Sequence, residues 1–337
     1  MSRRGAVLFA AMSVIWGIPY LLIKVADGGV TVPVLVWARV TVGALILVPV
    51  ALAQRAWRPE GRAVLRRHWR WLAAFAVIEI AGPWALLSTA ERHLSSSTSG
   101  LLIASVPVIG AVLAWLSARR GDDRGGADRL TVVRAAGLAM GFAGVALLAG
   151  RGGGRGDLLS DAEVLLTALC YAVGPIVAIR KLGQVPSITA NAVCLSLVAV
   201  CYTPVALLNW PHAVPSGQVL AALAALGAVC TAAGLVGYFW LIAEIGPARA
   251  PVVTYVNPAV AVALGAGLLG ERITLAIGVS FVLILAGSVL AARSARSAGQ
   301  GGTTPLQPPE REASPARISL PAGELGCTRP SDPARET

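Results

Sequence analysis

The stretch "LGQVPSITANAVCLSLVAVCYTPVALLNWPHAVPSGQVLAALAALGAVCTAAGLVGYFWLIA", residues 182–243, contains no Asp, Glu, Lys or Arg. A helix that crosses a bilayer needs about 20 predominantly apolar residues. This stretch is long enough for two such helices. "NWPHAVPSG" lies between them, where Pro211, Pro215 and Gly217 predict a turn. The pattern therefore predicts a pair of membrane-spanning helices.

The whole chain has the same character. Hydrophobic residues make up 56% of the sequence and charged residues 13%, and the mean hydropathy is +0.71. Soluble domains have about 25% charged residues, so this chain has too few charges to cover a soluble surface. The composition predicts an all-α integral membrane protein in a lipid bilayer.

Ten transmembrane helices are predicted along the chain. Their ranges are 5–23, 31–53, 71–90, 95–118, 131–149, 160–179, 187–209, 217–242, 248–270 and 273–292. The first apolar run is as long as a full span and no small-residue cleavage site follows it, so it is interpreted as a retained helix. From residue 294 to 337, Pro, Gly, Ser and Arg dominate, and this composition predicts a disordered cytoplasmic tail.

The net charge of +11 does not indicate a nucleic-acid partner, because most basic residues lie in short loops between apolar runs. With a cytoplasmic N-terminus, and leaving aside Arg134 and the tail beyond Arg296, 17 Lys and Arg residues in loops and at span ends fall on the cytoplasmic side and five on the other. The positive-inside rule therefore predicts cytoplasmic termini. A plasma, or bacterial inner, membrane is the expected location.

An internal repeat divides the spans into two sets of five. "LLIASVPVIGAVLAWLSARR" (101–120) aligns with "VVTYVNPAVAVALGAGLLGE" (252–271), which pairs Pro107 with Pro258. "LTVVRAAGLAMGFAGVALL" (130–148) likewise aligns with "ITLAIGVSFVLILAGSVLA" (273–291). Five is odd, so the two copies must cross the membrane in opposite directions, a frequent design in secondary transporters. The predicted domains are residues 1–150 and 151–293, followed by the tail at 294–337.

The sequence resembles the EamA-type transporters of the drug/metabolite transporter superfamily. The resemblance covers about residues 5–292 and rests on motifs that occur in order: "WGIPYLLIK" (16–24), Arg39 in "VWARVTVGALILVPV", the mid-helix "VP" and "NP" of the fourth and ninth spans, and "LGERIT" (269–274). It implies two five-helix halves and export of a small metabolite or drug. The first half departs from the pattern, because "LSARRGDDRGG" stands where the family tends to have a Gly-Glu pair.

Two charged residues lie deep in predicted spans, where charge is costly and tends to be functional. Glu79 is either a proton carrier, a counter-charge for a cationic substrate, or a buried structural partner. Arg39 either binds an anionic substrate or neutralises Glu79, and pairing with Glu79 is the favoured interpretation. The repeat alignment places Glu79 opposite Cys230 and Arg39 near Cys194, so any ionic site is asymmetric.

Further candidates are uncharged. Aromatic and amide side chains predicted to line a substrate cavity are Trp16, Tyr20, Trp84, Tyr171, Tyr238, Tyr255 and Asn257. Prolines inside spans free backbone carbonyls and can act as hinges; the candidates are Pro19, Pro83, Pro107, Pro175 and Pro258. The four-residue step from Gly137 to Gly141 predicts close helix packing.

The sequence predicts neither a catalytic site, nor a metal site, nor a cofactor. No Walker motif is present, and no two histidines have metal-ligand spacing. The leading hypothesis is a secondary exporter of a small organic molecule that works by alternating access. The alternative is a non-transporting membrane enzyme or scaffold. Proton coupling and a homodimer are hypotheses that the sequence leaves open.

Overall fold

The computed structural model describes residues 2–54, 59–119, 132–149, 155–246 and 249–300, and the described part of the chain is helical without any strand. The α-helices are α1 Arg3–Gly17, α2 Pro19–Asp27, α3 Val32–Ala53, α4 Pro59–Phe75, α5 Gly82–Ala90, α6 Ser96–Ile103, α7 Val106–Arg119, α8 Val132–Ala149, α9 Arg155–Lys181, α10 Ser187–Leu208, α11 Gly217–Ala225, α12 Gly234–Ile245, α13 Asn257–Leu268 and α14 Leu275–Gln300. Two π-helical segments, Ala76–Ala81 and Leu226–Ala233, and a 3-10 helix, Ala250–Tyr255, join some of them end to end.

Eight helical stretches in the described part are long and apolar enough to cross a membrane. They are Arg3–Asp27, Val32–Ala53, Pro59–Ala90, Ser96–Leu116, Leu158–Lys181, Ser187–Leu208, Gly217–Ile245 and Ala250–Leu268. Two shorter apolar helices, Ala135–Leu148 and Leu275–Leu290, coincide with the fifth and tenth predicted spans. Large apolar side chains such as Leu45 and Val200 point away from the protein and are 70% exposed. The chain is an integral membrane protein.

Two helices extend beyond their predicted boundaries. The third helix begins at Pro59 instead of residue 71, because α4 carries its arginines on an exposed face that needs no apolar surroundings. The predicted tail begins at residue 294, but the backbone is helical to Gln300. Once a helix has formed, its extension costs little free energy, because each further residue adds a hydrogen bond. Residues 301–337 and the predicted boundary at 150–151 lie outside the described residues.

Three spans are interrupted next to a candidate proline. Ile18 separates α1 from Pro19, Ala104 and Ser105 separate α6 from α7, and Val256 precedes Asn257 and Pro258. In each case the proline lies in the first turn of the following helix, where its missing N–H costs nothing. A freed carbonyl at the second break, that of Ala104, accepts a hydrogen bond from Ser288 Oγ at 3.2 Å. Pro175, in contrast, lies inside the unbroken helix α9.

The two π-helical segments occupy matching places in the two halves. The repeat alignment pairs residues 76–81 with 227–232, and the segments are Ala76–Ala81 and Leu226–Ala233. Side chains use carbonyls of both segments: Tyr202 Oη donates to Ala81 O at 3.0 Å, and Thr231 Oγ1 to Leu226 O at 2.9 Å. Pro83 is the second residue after the first segment and lacks the N–H that would bind the carbonyl of Glu79. Such π bulges are frequent at functional sites.

Helices of the two halves pack against one another in reciprocal pairs. The second span (α3) packs on the seventh (α10), and the fifth (α8) on the tenth (α14). The third span (α5) packs on the sixth (α9), and the eighth (α12) on the first (α1). The predicted small-residue contact lies at α8–α14, where a Cβ on Gly287 would overlap the backbone of Gly137 and Gly141.

Candidate functional site

The guanidinium of Arg39 is held by two neutral side chains. Arg39 lies on the inner face of α3 and is 7% exposed. Its Cζ lies 3.7 Å from the ring centroid of Trp84 on α5, and its Nε donates to Thr231 Oγ1 at 3.2 Å. A stacked aromatic face stabilises a buried cation by about 2 kcal/mol. Thr231 can approach because α3 and the second π-helical segment meet at Gly43, whose Cβ position would lie 2.9 Å from Thr231 Cγ2.

The favoured interpretation of Arg39 as the ion-pair partner of Glu79 is wrong. Arg39 and Glu79 both lie in the described part of the chain, and no salt bridge within 4.0 Å joins them. The reason is geometric: Arg39 faces Trp84 and the second π-helical segment, whereas Glu79 faces α9. The structure therefore leaves the deep cation without a carboxylate partner.

Glu79 lies on the first π-helical segment and is directed at α9. Its carboxylate lies against Gly174, at the position that a Cβ of residue 174 would occupy. A side chain other than hydrogen at 174 would displace the carboxylate. Oε2 is buried and has no hydrogen-bond partner in the described part of the chain. A buried carboxylate oxygen without a donor is costly when charged, so this group is suited to bind a proton or a cation.

Two tyrosines connect these groups. Tyr171 on α9 packs against the apolar cluster that contains Trp84, and it lies about one turn before Gly174, which the carboxylate of Glu79 contacts. Tyr20 on α2 lies within electrostatic range of Tyr171 and Arg39. Four of the predicted candidates, Arg39, Glu79, Trp84 and Tyr171, thus form one group, with Tyr20 beside it. We call these five residues the deep cluster.

The other candidates lie in different contacts. The rings of Trp16 and Tyr238 pack with centroids 4.7 Å apart. With its amide nitrogen facing two carbonyls, Asn257 donates to Val253 O at 3.0 Å and to Ser13 O at 3.3 Å. Tyr255 Oη lies 3.5 Å from the carbonyl of Ser288. These contacts join α1 to α12 and to α13, and the 3-10 helix Ala250–Tyr255 to α14.

The sequence-based candidates lack three polar residues that the structure places in notable positions: Thr231, Glu91 and Glu271. Thr231 follows Cys230, the repeat partner of Glu79, so the alignment itself contained a signal for it. Glu91 opens the polar stretch "ERHLSSSTSG" between two apolar runs, yet it is fully buried. Glu271 stands at the end of an apolar run beside Arg272, yet it binds the beginning of α6.

The carboxylate of Glu271 joins the second half of the chain to the first. Its Oε1 accepts from Ser96 N at 2.7 Å and Ser96 Oγ at 2.9 Å. Its Oε2 accepts from Ser97 N at 3.0 Å and Ser97 Oγ at 2.5 Å. Burial alone would raise the pKa of Glu271, but the hydrogen bonds from Ser97 and Ser96 outweigh it and lower the pKa. We call this contact the Glu271 cap. It satisfies N–H groups that a helix N-terminus leaves free.

The deep cluster combines a cation, aromatic surface and a carboxyl group. Arg39 offers donors to an anion, Trp84 and Tyr171 offer aromatic surface, and Glu79 offers a proton site. The described residues contain no group of three or more His, Cys, Asp or Glu that could hold a metal ion.

Comparison with known proteins identifies relatives along nearly the whole chain. The sequence profile of the EamA-like transporter family matches residues 3–150 and 158–293. The uncharacterized transporter YvbV of Bacillus subtilis is 22% identical over 290 residues, which are 84% of this chain and 89% of YvbV. The uncharacterized inner membrane transporter YedA of Escherichia coli K12 is 24% identical over 295 residues, or 83% of this chain and 90% of YedA.

One solved crystal structure has the same fold. It superposes with a TM-score of 0.60 at 20% identity, and the match covers 88% of this chain and 99% of that chain. The family profile matches both halves, so the chain belongs to the EamA-like transporter family, and the predicted resemblance is confirmed.

Proposed function

We propose that this member of the EamA-like transporter family is a secondary transporter that exports a small metabolite or drug-like molecule by alternating access. The observation that carries the proposal is the deep cluster. Arg39 is buried within a membrane-spanning helix without a carboxylate partner among the described residues, and Glu79 presents an unpartnered oxygen nearby. Ionisable residues inside membrane spans are expensive and mark substrate and ion pathways.

The proposed architecture has ten membrane spans in two inverted halves of five helices each. Eight of them are the long spans, and the two shorter apolar helices are the other two. The reciprocal packing of equivalent spans and the paired π-helical segments support it. In such a protein each half can adopt the conformation of the other, so a central site opens to the two sides of the membrane in turn. Irregular backbone next to the deep cluster gives the helices places to bend.

Each member of the deep cluster has a proposed role. Arg39 binds a negatively charged group of the substrate, and Trp84 and Tyr171 pack against its apolar part. Glu79 carries the proton whose movement drives transport. An ionised Glu79 and an anion bound at Arg39 would repel each other, so protonation of Glu79 would favour binding of the substrate.

The experiment has two stages. Metabolite profiling of the medium of cells with and without the gene finds the exported compound, and its uptake into everted inner-membrane vesicles is then measured. Protein-dependent uptake driven by a pH gradient is expected. If no compound crosses the membrane in a protein-dependent way, the transporter proposal fails and a non-transporting membrane enzyme or scaffold replaces it.

The role of Glu79 is tested in the same vesicles. Glu79→Gln removes the titrating group but keeps its shape, so uptake driven by a pH gradient should fall at least tenfold while the protein remains in the membrane. Glu244→Gln is the matched control, because Glu244 lies at a helix end beside the exposed Arg4, 3.9 Å away. Unchanged proton-driven uptake by Glu79→Gln would exclude Glu79 from the coupling mechanism.

A further inference from the structure

A second carboxyl group is buried outside the deep cluster. Glu91 immediately follows α5, one residue beyond the third membrane span, and its exposed fraction is 0%. Both of its carboxyl oxygens are buried and have no hydrogen-bond partner within the described ranges. Burial raises the pKa of Glu91 well above its usual range. A carboxyl group in this environment is far less costly when it is neutral.

Charged groups surround Glu91 without pairing with its carboxyl group. Lys24 of α2 donates through Nζ to the backbone carbonyl of Leu94, at 2.8 Å, and to that of Glu91 itself. Asp27 of α2 is bound to Arg92 at 2.8 Å. Arg39 of α3 and Glu271 act on Glu91 only through space. Lys24 and Arg39 favour the carboxylate, and Asp27 and Glu271 oppose it, but desolvation outweighs them all. Tyr20 also acts on Glu91 through space. His93 follows two residues later and acts through space on Glu163 of α9.

The segment that follows Glu91 is held closed by the second half of the chain. Residues 91–95 lead directly into α6, whose first two residues are bound by the Glu271 cap. We call this region, residues 91–97 with Glu271, the Glu91 end. Separation of the two halves here would break the cap and admit water to Glu91. The protonation of Glu91 and the closure of this end are therefore physically linked.

We propose that Glu91 is a proton-binding site: it takes one proton from water each time the Glu91 end closes and returns it when that end opens. The inference rests on the proposed transport function and adds to it a proton site distinct from Glu79. The step is a simple acid–base equilibrium, in which the O–H bond forms on closing and breaks on opening.

The sign of the pH dependence follows from linkage. The closed form holds Glu91 with a raised pKa, whereas the open form exposes it to water, where the ordinary glutamate pKa of about 4.3 applies. The closed form thus binds more protons between these two pKa values, and a rise in pH favours opening. Glu271 contributes a pH dependence of opposite sign, because its cap needs the carboxylate and a fall in pH protonates it. This effect is confined to pH values below the ordinary glutamate pKa, because the pKa of Glu271 is lowered.

Tyr20 and Lys24 connect this site to the deep cluster. Both lie on α2, a turn apart, and Tyr20 is within electrostatic range of Arg39, Tyr171 and Glu91. A movement of α2 that exposes Glu91 also changes the surroundings of Arg39. The proton on Glu91 and the occupant of the deep cluster therefore act on the same helix.

The test measures opening directly. Ser99 is buried on α6, close behind the Glu271 cap, and its Oγ has no hydrogen-bond partner in the described chain. Ser99→Cys thus introduces a thiol that a membrane-impermeant maleimide reaches when the Glu91 end opens. The full-length protein in liposomes is labelled at a series of pH values. Peptide mass spectrometry measures labelling at position 99 separately from the native cysteines, and values are corrected for thiol ionisation with an unfolded control.

With Glu91 intact, the corrected labelling rate should rise with pH, by up to tenfold per pH unit for a single linked proton. Glu91→Gln, which resembles the protonated side chain, should label slowly and without pH dependence. Glu244→Gln, at a helix end beside the exposed Arg4, is the matched control and should retain the dependence. An unchanged pH profile in Glu91→Gln would overturn the proposal.

A second measurement does not depend on that variant being stable. Infrared difference spectroscopy of the wild-type protein at neutral pH should show the carbonyl band of a protonated carboxyl group in a dry site, and Glu91→Asp should shift it. A spectrum without any such band would refute the proposal by itself. If labelling of the protein with Glu91 intact is independent of pH while vesicles still take up substrate, only the Glu91 inference fails. If the wild-type protein supports no uptake at all, the proposed transport function itself is rejected.

Discussion

At the residue scale, Arg39 illustrates how a membrane protein retains a deep cation without an anion. The guanidinium is planar and weakly hydrated, so it can stack on an indole and still donate to a hydroxyl. Trp84 and Thr231 supply these two contacts at 3.7 Å and 3.2 Å. Neither cancels the positive charge, so the site remains attractive to a negatively charged group.

A double-mutant cycle measures the stacking of Arg39 on Trp84. We expect Arg39→Gln and Trp84→Leu to be coupled by about 1–2 kcal/mol in the free energy of unfolding in detergent, because the pair is buried. Arg70 and Trp69 form the matched control, since they lie 5.9 Å apart on an exposed face. Their coupling should be below about 0.5 kcal/mol, and equal couplings for the two pairs would contradict the assignment.

A second cycle tests the separation of Arg39 from Glu79. They form no salt bridge, so the effects of Arg39→Gln and Glu79→Gln on the free energy of unfolding should add to within about 0.5 kcal/mol. A structural ion pair would instead let the double variant recover stability lost in either single variant. Thermal unfolding monitored by tryptophan fluorescence distinguishes the two outcomes, and recovery of expression in the double variant would argue against the observed geometry.

The two buried acids show what a sequence can predict at this scale. Glu79 is conspicuous because it is the one charge between residues 71 and 90. Glu91 stands beside Arg92 and His93 in a stretch that resembles an exposed hairpin, yet in the fold it is fully buried, and Lys24 of α2 binds its backbone carbonyl. Burial of that kind comes from tertiary contacts distant in sequence, for which neither periodicity nor composition gives a signal.

At the element scale, the Glu271 cap should stabilise α6 in a pH-dependent way. Glu271→Gln should lower the free energy of unfolding by about 1 kcal/mol at neutral pH, a modest value because the carboxylate is partly exposed to water. The folded-state pKa of Glu271 is lowered, so this stabilisation is complete above the ordinary glutamate pKa of about 4.3 and disappears as the pH falls through the folded value. Unfolding of both proteins at several pH values measures it, and a difference that grows on acidification would contradict the cap.

The α8–α14 contact offers a matched pair of glycines on one helix. A Cβ at Gly287 would overlap backbone atoms of Gly137 and Gly141, whereas a Cβ at Gly278 would meet no atom within 4 Å. Gly287→Ala should therefore destabilise the protein by about 1–3 kcal/mol. Gly278→Ala should be neutral, or stabilising by up to about 1 kcal/mol, because alanine favours a helix. Thermal unfolding measures both, and equal effects would show that the helices are not in close contact.

The elements were predictable to different degrees. Long apolar runs located the membrane helices, and prolines located the breaks at Ile18, at 104–105 and at Val256. The π-helical segments had no such signal, because their residues, "AVIEIA" and "LGAVCTAA", suit an ordinary α-helix. Tertiary contacts at their carbonyls, such as that of Tyr202 with Ala81, accompany the wider turns.

At the scale of the whole molecule, the halves depend on each other. α3 of the first half packs on the second π-helical segment, and α10 of the second half packs on the first segment. Each irregular segment is therefore supported by a helix of the other half. In the proposed alternating-access mechanism, this packing would carry a change at one segment to the opposite half.

The distribution of Lys and Arg should decide the orientation of the whole molecule in the membrane. With the N-terminus cytoplasmic and the same residues left aside, Lys and Arg in loops and at span ends number 17 on that side and five on the other, and the largest group lies in and just before α4. Because cytoplasmic loops carry the excess of Lys and Arg, GFP fused after Gln300 should fluoresce in bacterial cells, whereas alkaline phosphatase there should be inactive. Replacement of Arg62, Arg66, Arg67 and Arg70 by Gln should produce a mixed orientation, and replacement of the exposed Trp69 by Gln is the control that leaves the charge unchanged. An active phosphatase fusion in the unaltered chain would show that the charge asymmetry does not set the topology, and would reverse the side to which the Glu91 end opens.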